Sequence, residues 1–448
     1  MRLESKRFRC VTFGCRVNLY ETQSIREQLS QAGLSEAVEG EAADFVVVNS
    51  CTVTAEADRQ CLAELRSLHR QQPEARILVT GCLVQRDSGL LSGLPGVKVL
   101  AGSAQKHRIG DWVREMLESK QEYQVPKVPG TPVLDLELSR VYGPLGISRF
   151  DGWDKAFVKV QDGCDRACAF CKIPLVRGRS RSRSLADIEE EVLRLVEAAG
   201  YRELALTGIA IGLWGREWEP PQRLAGLVRA VDRLPGRFRA RLSSLDPRDL
   251  DAPLIEALSS SSKFCRHLHL SLQSGSDPVL ARMNRGHTTA EYAARVASLR
   301  RAWPDLGLTT DLIAGFPGET EREFLETLEF CRSMEFAKVH VFPYSRRRGT
   351  TASLLKGENP PAVVKERAAR LRQTAEETAG RFRERFIGTT QEVLVEKGGM
   401  GYTSQYLRVV LGKKEAAGRA GELAPVRLTG LAVGGLKGEI FAVATLTN

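Results

Sequence analysis

No run of about eighteen apolar residues occurs in the chain, so no helix long enough to span a bilayer is expected. The start, Met1-Arg2-Leu3-Glu4-Ser5-Lys6, passes into a strand-like stretch without the apolar core of a secretory signal. A cytoplasmic protein without membrane contact is the expectation. Histidine is scarce, six in 448 residues. His267, His269 and His340 fall on strand-like stretches, where a satisfied core histidine is a commoner reading than a ligand. The paired C-x2-C motifs of structural zinc are missing. Neither a low-complexity segment nor an internal repeat beyond plain β-α alternation is present. In a reducing compartment ten cysteines are not a disulfide framework, and metal or catalytic roles come to the front.

Three of those cysteines form C-x3-C-x2-C in Asp162-Gly163-Cys164-Asp165-Arg166-Ala167-Cys168-Ala169-Phe170-Cys171, just after the strand-like Ala156-Phe157-Val158-Lys159-Val160. Three thiolates on one loop can hold three irons of a cubane and leave the fourth iron open for chemistry. A second set emerges from topology. The apolar runs Phe8–Phe13, Phe45–Val48 and Ile77–Val79 are each followed within a turn by Cys15, Cys51 or Cys82. Helical stretches at Glu21–Ala32 and Ala55–Arg70 intervene, so the strands should be parallel and their ends should share one sheet edge, where open α/β sheets bind ligands. Cys10, Cys61, Cys265 and Cys331 sit inside apolar patterns and read as core.

At 448 residues with 42% hydrophobic content, two or three domains with well-formed cores are expected. A formal charge of +10 favours a polyanionic partner such as nucleic acid. The fold expected is multidomain α/β. Residues 1–120 form a parallel α/β domain, and 121–150, rich in Pro and Gly, form a linker. Residues 151–386 form a partial (β/α)6 TIM-like barrel with a trailing helix over Pro361–Phe386, and 387–448 a small antiparallel β-barrel. Barrel strands are expected near Ala156–Val160, Glu203–Thr207, Phe238–Leu242, His267–Leu272, Leu308–Ile313 and Lys338–Phe342. Ser184 and Asp187 suit a capping box for a helix over Leu185–Ala199, stopped by Gly200. Tail strands are expected at Glu392–Glu396, Tyr406–Leu411, Val426–Leu428 and Glu439–Ala444. Polar residues cluster at the expected barrel strand ends: Thr207-Gly208, Ser243-Ser244, Gln273-Ser274-Gly275-Ser276, Gly315-Phe316-Pro317-Gly318 and Pro343-Tyr344.

Six segments carry a resemblance over nearly the whole chain: Thr12-Phe13-Gly14-Cys15-Arg16-Val17-Asn18, Val48-Asn49-Ser50-Cys51-Thr52-Val53-Thr54, Thr80-Gly81-Cys82, residues 163–183, Leu270-Ser271-Leu272-Gln273-Ser274-Gly275-Ser276-Asp277, and His340-Val341-Phe342-Pro343-Tyr344-Ser345. In these the chain resembles the methylthiotransferases of the radical S-adenosylmethionine superfamily. The Arg-Val-Asn and Cys-Thr-Val-Thr wording is closest to the subgroup that modifies N6-threonylcarbamoyladenosine in transfer RNA. The pattern departs at Leu83-Val84, where an aromatic and a small residue are common, at Leu175, where Tyr is frequent, and at Arg346-Arg347-Arg348, where a Pro usually precedes Gly-Thr.

The resemblance implies two [4Fe-4S] clusters, S-adenosylmethionine, a terminal TRAM domain that binds nucleic acid, and an external electron donor such as flavodoxin or ferredoxin. The reaction implied is methylthiolation of C2 of the modified adenosine at position 37, 3′ of the anticodon, in the anticodon stem-loop. Cys164, Cys168 and Cys171 would hold the cluster that cleaves S-adenosylmethionine, and Cys15, Cys51 and Cys82 the cluster that carries the sulfur. Phe170, Thr207, Gly208, Ser243, Gln273, Ser274 and Gly315 would contact the cofactor, with core packing an equal reading for Phe170. Arg177, Arg179, Arg181, Arg346, Arg347 and Arg348 would meet RNA phosphates, although such runs are often plain solvated faces. Tyr402, Tyr406 and Lys397 are further RNA contacts, with barrel core a fair reading of Tyr406. Other readings stay open at this point: the substrate could be N6-isopentenyladenosine or an aspartate of a ribosomal protein, or the chain could be a non-catalytic RNA-binding protein that holds metal.

Overall fold

The computed structural model describes residues 6–118 and 141–441. The expected linker lies outside the described residues as far as 140, and 141–150 carry neither helix nor strand.

A five-stranded parallel sheet opens the chain. Its strands are β1 (Arg7–Thr12), β2 (Ser35–Glu36), β3 (Phe45–Ser50), β4 (Arg76–Gly81) and β5 (Val97–Ala101), in the order β2-β1-β3-β4-β5. The sequence marked only three of them, because β2 and β5 are short and lack long apolar runs. Helix α1 (Arg16–Gln31) begins five residues before the expected start. Asn18, Glu21, Thr22, Gln23 and Ser24 on it are buried, and these polar side chains break the apolar pattern that marks a core-facing helix. Helix α2 (Ala55–Gln71) is capped by Thr54, whose side chain accepts from the Ala57 N–H, with Glu56 and Asp58 favouring the positive end of the helix dipole. Val46, Val48, Ile77 and Val79 bury one sheet face against Cys61, Leu65 and Leu68 of α2. Phe45, Val47 and Leu78 bury the other against Ile25 and Leu29 of α1. Each such apolar side chain contributes about 1.5–3 kcal/mol.

The second unit has β6 (Ala156–Asp162), β7 (Arg181–Ser182), β8 (Glu203–Gly208) and β9 (Arg239–Leu242) in the order β7-β6-β8-β9, and β10 (His267–His269), β11 (Gly307–Ala314) and β12 (Lys338–Pro343) in sequence order. Bridges at Ala240↔Phe264 and Leu245↔Leu270 join the two sheets. Among the described residues no pairing joins β6 to β12, so the barrel is open along one seam. Helix α3 (Leu185–Leu193) starts where the Ser184 side chain accepts from the Asp187 N–H, and continues as a wider π-turn over Arg194–Ala198. Helix α4 (Glu321–Ser333) carries a full capping box between Thr320 and Glu323, and α5 (Pro361–Glu384) packs across β12.

The tail closes as β13 (Thr390–Glu396), β14 (Met400–Thr403), β15 (Arg408–Leu411), β17 (Gly435–Ile440) and β16 (Leu423–Ala432). Strand β14 escaped the sequence because it includes Gly401, whose Cβ would come within 2.5 Å of Leu394 O, so close packing of backbone demands a residue that weakens strand character. The last strand ends at Ile440; residues 442–444 of the expected strand lie outside the described residues. The tail docks on the barrel through two arginines of β9. Arg239 donates to Glu392 O at 3.0 Å and Tyr402 O at 2.7 Å, and Arg241 donates to Ser404 O at 2.9 Å and Thr403 O at 3.2 Å. Among the described residues no helix is long and apolar enough to cross a membrane.

Candidate active site

Strand register brings the first thiol group together. Thr12 pairs with Asn49, Asn49 with Thr80 and Ser50 with Gly81, so Cys15, Cys51 and Cys82 leave the same sheet edge within three residues of that row. Asn18 donates to Phe13 O at 2.7 Å and to Ser50 O at 3.0 Å, and Ser50 donates to Thr80 O at 2.6 Å. These bonds stitch the three turns to one another. Cys51 and Cys82 are buried and Cys15 is exposed. Burial pushes the Cys51 thiol up to about 11, with Cys82 and Cys15 adding to the effect, which places the three thiols within electrostatic reach.

The second thiol group lies on the loop after β6. Cys164, Cys168 and Cys171 are each half-buried. Gly163 starts the loop at φ +71°, and a Cβ there would lie 1.9 Å from Arg179 O. The Arg166 N–H points to Cys164 Sγ at 3.5 Å, the Ile173 N–H to Cys171 Sγ at 3.4 Å, and Arg285 Nη1 to Cys168 Sγ at 3.2 Å. Burial raises the Cys164 thiol, and raises that of Cys171 to about 12. Metal binding displaces such protons, since the thiolate is the ligand. Arg285 is held by Asp246 at 3.1 Å, and Arg166 by Asp246 at 2.9 Å and Asp249 at 2.5 Å.

A buried ionic network runs from the first group to Asp162, two residues before Cys164. Glu21 pairs with Arg177 at 2.5 Å, with Lys159 at 2.7 Å and with Lys106. Asp162 pairs with Lys159 at 2.8 Å, Arg181 at 3.2 Å and Arg177 at 3.4 Å. Burial alone would raise the Glu21 carboxyl, but Arg177, Lys106 and Lys159 hold it well below the usual range. Four cations face two carboxylates here, and Arg177 Nε also donates to Cys82 Sγ at 3.2 Å. A metal-bound thiolate at Cys82 supplies negative charge that the network lacks, because uncompensated buried charge is costly. The donor sets therefore fit iron–sulfur clusters. Among the described residues no three His, Cys, Asp or Glu side chains are arranged to hold a single metal ion; a cubane instead gives each thiolate an iron of its own.

The cofactor-contact residues divide. Phe170 packs against the buried apolar cluster of Ala169, Val279, Met283, Phe316 and Ala352 beside the second thiol group. Thr207 and Gly208 end β8, and Ser243 follows β9 with a buried Oγ that has no hydrogen-bond partner among the described residues. Gln273 has φ +81°, a left-handed conformation that costs a non-glycine residue free energy and concentrates at functional sites. Ser274 is a correction: it is fully buried and its Oγ pairs with Thr327 Oγ1 at 3.2 Å on α4, so its hydroxyl is turned into the protein. Gly315 has φ +77°, and a Cβ there would lie 2.5 Å from Val364 Cγ2, so α5 packing already requires glycine.

The arginines need correction as well. Arg177, Arg181 and Arg347 are buried and cannot meet phosphate as expected. Arg177 and Arg181 belong to the ionic network. Arg347 donates to Thr52 O at 2.9 Å and pairs with Asp58 at 2.6 Å, which clamps the turn bearing Cys51 and gives the arginine run a structural reason. Arg179 is exposed and pairs with Asp165 at 3.1 Å; Arg346 is exposed and pairs with Glu358 at 3.1 Å; Arg348 is exposed and has no acid or hydrogen-bond partner among the described residues. Tyr406 is a correction too. It stacks on Tyr402 at 4.8 Å, lies 5.0 Å from the His267 ring and accepts a bond from Arg16 at 2.9 Å, so it plugs into the barrel instead of facing outward.

Not every barrel histidine is plain core. His267 is buried, but His269 pairs with Asp311 at 3.2 Å while only half-buried, and His340 is exposed on the same side of β12 as Lys338 and Phe342. Strand periodicity places these side chains together, but a sequence cannot show that the barrel leaves that face open.

Comparison with known proteins agrees with this arrangement. The model described as uncharacterized protein family UPF0004 matches residues 7–102, and that of the radical SAM superfamily matches 158–331. The chain is 37% identical over 438 residues to threonylcarbamoyladenosine tRNA methylthiotransferase MtaB of Thermotoga maritima, covering 96% of each chain. It belongs to the radical S-adenosylmethionine methylthiotransferase family. To the same-named enzyme of Bacillus subtilis it is 35% identical, covering 89% of each. To the tRNA-2-methylthio-N(6)-dimethylallyladenosine synthase of Chloroflexus aurantiacus it is 35% identical, covering 97% of this chain and 91% of the other. The fold is shared with the radical S-adenosylmethionine methyltransferase TsrM of Kitasatospora setae, at TM-score 0.56 and 15% identity over 78% of this chain and 77% of that one. Against the family pattern, Leu83 and Val84 are core residues packed under the first thiol group, while Leu175 is exposed.

Proposed function

We propose that this methylthiotransferase converts N6-threonylcarbamoyladenosine at position 37 of transfer RNA, 3′ of the anticodon, into its 2-methylthio derivative. The observation that carries the reading is the likeness to MtaB enzymes over 96% of the chain, with both cysteine triplets at strand ends and Cys82 bonded by Arg177 from the segment after the other triplet. Cys164, Cys168 and Cys171 hold one [4Fe-4S] cluster, and Cys15, Cys51 and Cys82 hold the other. Bound there, the clusters and S-adenosylmethionine supply radical chemistry and sulfur, which no acid–base pair can deliver to an unactivated purine C–H. The chain's own residues orient these groups. Arg285 and the backbone N–H groups of Arg166 and Ile173 steady one set of thiolates, and Arg177 steadies the other. Phe170, Thr207, Ser243 and Gln273 line the strand-end side where S-adenosylmethionine binds. Arg179, Arg346 and Arg348 remain as phosphate contacts. The protein works in the cytoplasm, and an external donor such as flavodoxin or ferredoxin provides electrons.

Nucleoside mass spectrometry of transfer RNA from cells with and without the gene tests the reading. The 2-methylthio derivative of N6-threonylcarbamoyladenosine should vanish with the gene. Loss of only the methylthio derivative of the isopentenyl nucleoside, or of methylthiolated ribosomal aspartate, would sink it.

A further inference from the structure

We infer that Arg16 selects the substrate by binding the carboxylate of the threonylcarbamoyl substituent at the open seam of the barrel, an inference that rests on the nucleoside proposed above. Arg16 is the first residue of α1 and follows Cys15 directly. Its guanidinium lies 5.7 Å from the ring centres of both Phe157, on β6, and Tyr406. Its charge reaches His267 on β10 and His340 on β12; loss of solvent around the ring, complete at His267 and partial at the surface-accessible His340, is the main cause that lowers both imidazoles, and Arg16 adds to it. The side chain thus stands between the first and last barrel strands, where no strand pairing among the described residues closes the wall.

Arg16 is half-buried and has no carboxylate partner among the described residues. Other arginines at the thiol groups and the tail junction are different: Arg166, Arg177, Arg181, Arg239, Arg241 and Arg285 are each paired with an acid. Asp311, opposite His340 in strand register, is engaged by His269 at 3.2 Å. Tyr406 takes one guanidinium N–H of Arg16, at 2.9 Å, and fixes the group without neutralising it. A guanidinium held this way keeps donors free for a carboxylate, the ligand its planar fork fits best.

The relatives divide on the chemistry of one substituent. A threonylcarbamoyl group ends in a carboxylate, whereas a dimethylallyl group is hydrocarbon and would leave the arginine facing it unpaired. A site built around a charged donor discriminates strongly against the ligand that lacks the acceptor. Position agrees, since C2 of adenine and C6, which bears N6, flank the same ring nitrogen. A residue beside the sulfur-holding Cys15 can therefore read the N6 substituent while C2 faces the sulfur.

The test measures binding and turnover of labelled anticodon stem-loops carrying N6-threonylcarbamoyladenosine, its carboxamide analogue, or N6-isopentenyladenosine, with the cluster-loaded full chain. Arg16→Gln should weaken binding of the natural stem-loop about ten- to a hundredfold and leave the isopentenyl stem-loop unchanged. The wild-type protein should lose as much on the carboxamide analogue, a measurement that does not depend on whether the variant folds. Arg16→Gln should show no further loss on that analogue. Equal weakening of all three RNAs by Arg16→Gln, or wild-type binding that ignores the carboxamide change, overturns the inference. Turnover of only the isopentenyl stem-loop by the wild type overturns instead the substrate reading on which it rests.

Discussion

Arg177 Nε, on the segment after the C-x3-C-x2-C loop, donates a 3.2 Å hydrogen bond to Sγ of Cys82, a thiol of the other group. The same guanidinium pairs with Glu21 at 2.5 Å and donates to Asn18 Oδ1 at 2.6 Å. The barrel thereby sets the electrostatics of a site built on the first domain. N–H···S bonds and nearby positive charge raise the reduction potential of an iron–sulfur cluster. Arg177→Lys cannot serve Cys82, Glu21 and Asn18 together, so the potential of the Cys15/Cys51/Cys82 cluster should fall while that of the other stays put. Redox titration followed by electron paramagnetic resonance reads both. Arg177→Met should also cost about 1–3 kcal/mol in denaturant unfolding, because buried Asn18 Oδ1 and Cys82 Sγ lose their donor, while Lys106, Lys159 and Arg181 still pair Glu21 and Asp162.

The two cysteine triplets should separate by function. Replacing any one of Cys164, Cys168 and Cys171 with Ala should abolish formation of 5′-deoxyadenosine, and with it all modification. The triple Ala variant at Cys15, Cys51 and Cys82 should lose about half the iron and all methylthiolated product, yet retain uncoupled cleavage of S-adenosylmethionine. Product formation by that triple variant would falsify the two-cluster assignment. Circular dichroism must first show an intact α/β signature.

Gly14 offers a single-site version of the same separation. It sits at φ +101°, and a Cβ there would lie 2.7 Å from Cys51 Sγ. Gly14→Ala should displace Cys51 and add about 1–3 kcal/mol of backbone strain. Iron analysis should show partial loss with 5′-deoxyadenosine formation preserved; a full iron complement would contradict the crowding argument.

Acid should loosen the tail from the barrel. Glu203 is buried, which alone would raise its carboxyl, but Arg241, Arg239 and Lys155 outweigh burial and hold it at about 2. A folded-state value below that of the unfolded chain, about 4.3, contributes stability that is complete above the unfolded value. That contribution is lost as pH falls through the folded one. Since Arg239 and Arg241 also dock the tail through Glu392 O, Tyr402 O, Thr403 O and Ser404 O, proteolysis between barrel and tail should accelerate between about pH 4 and 2. Glu203→Gln should be cleaved readily at neutral pH and show little further pH dependence over that window.

Local patterns carried much of this protein. Cysteine spacing marked the loop at Cys164–Cys171, and repeated apolar runs ending in Cys15, Cys51 and Cys82 marked the first sheet edge, because parallel α/β connectivity forces such ends to one side. Apolar periodicity likewise located the barrel strands and α3. The polar interior was a different matter. Whether an arginine is solvated, as at Arg348, or buried against a cysteine, as at Arg177, depends on partners more than 90 residues away, which no window of sequence contains. The burial of Glu21 and Asn18 likewise rests on Lys159 and Arg177, which the barrel supplies to pair with them. The open seam that exposes Arg16, His269 and His340 exists only because β6 and β12 remain unpaired. Side-chain type and spacing are written along the chain, whereas burial, ion pairing and access to substrate are decided by packing between domains.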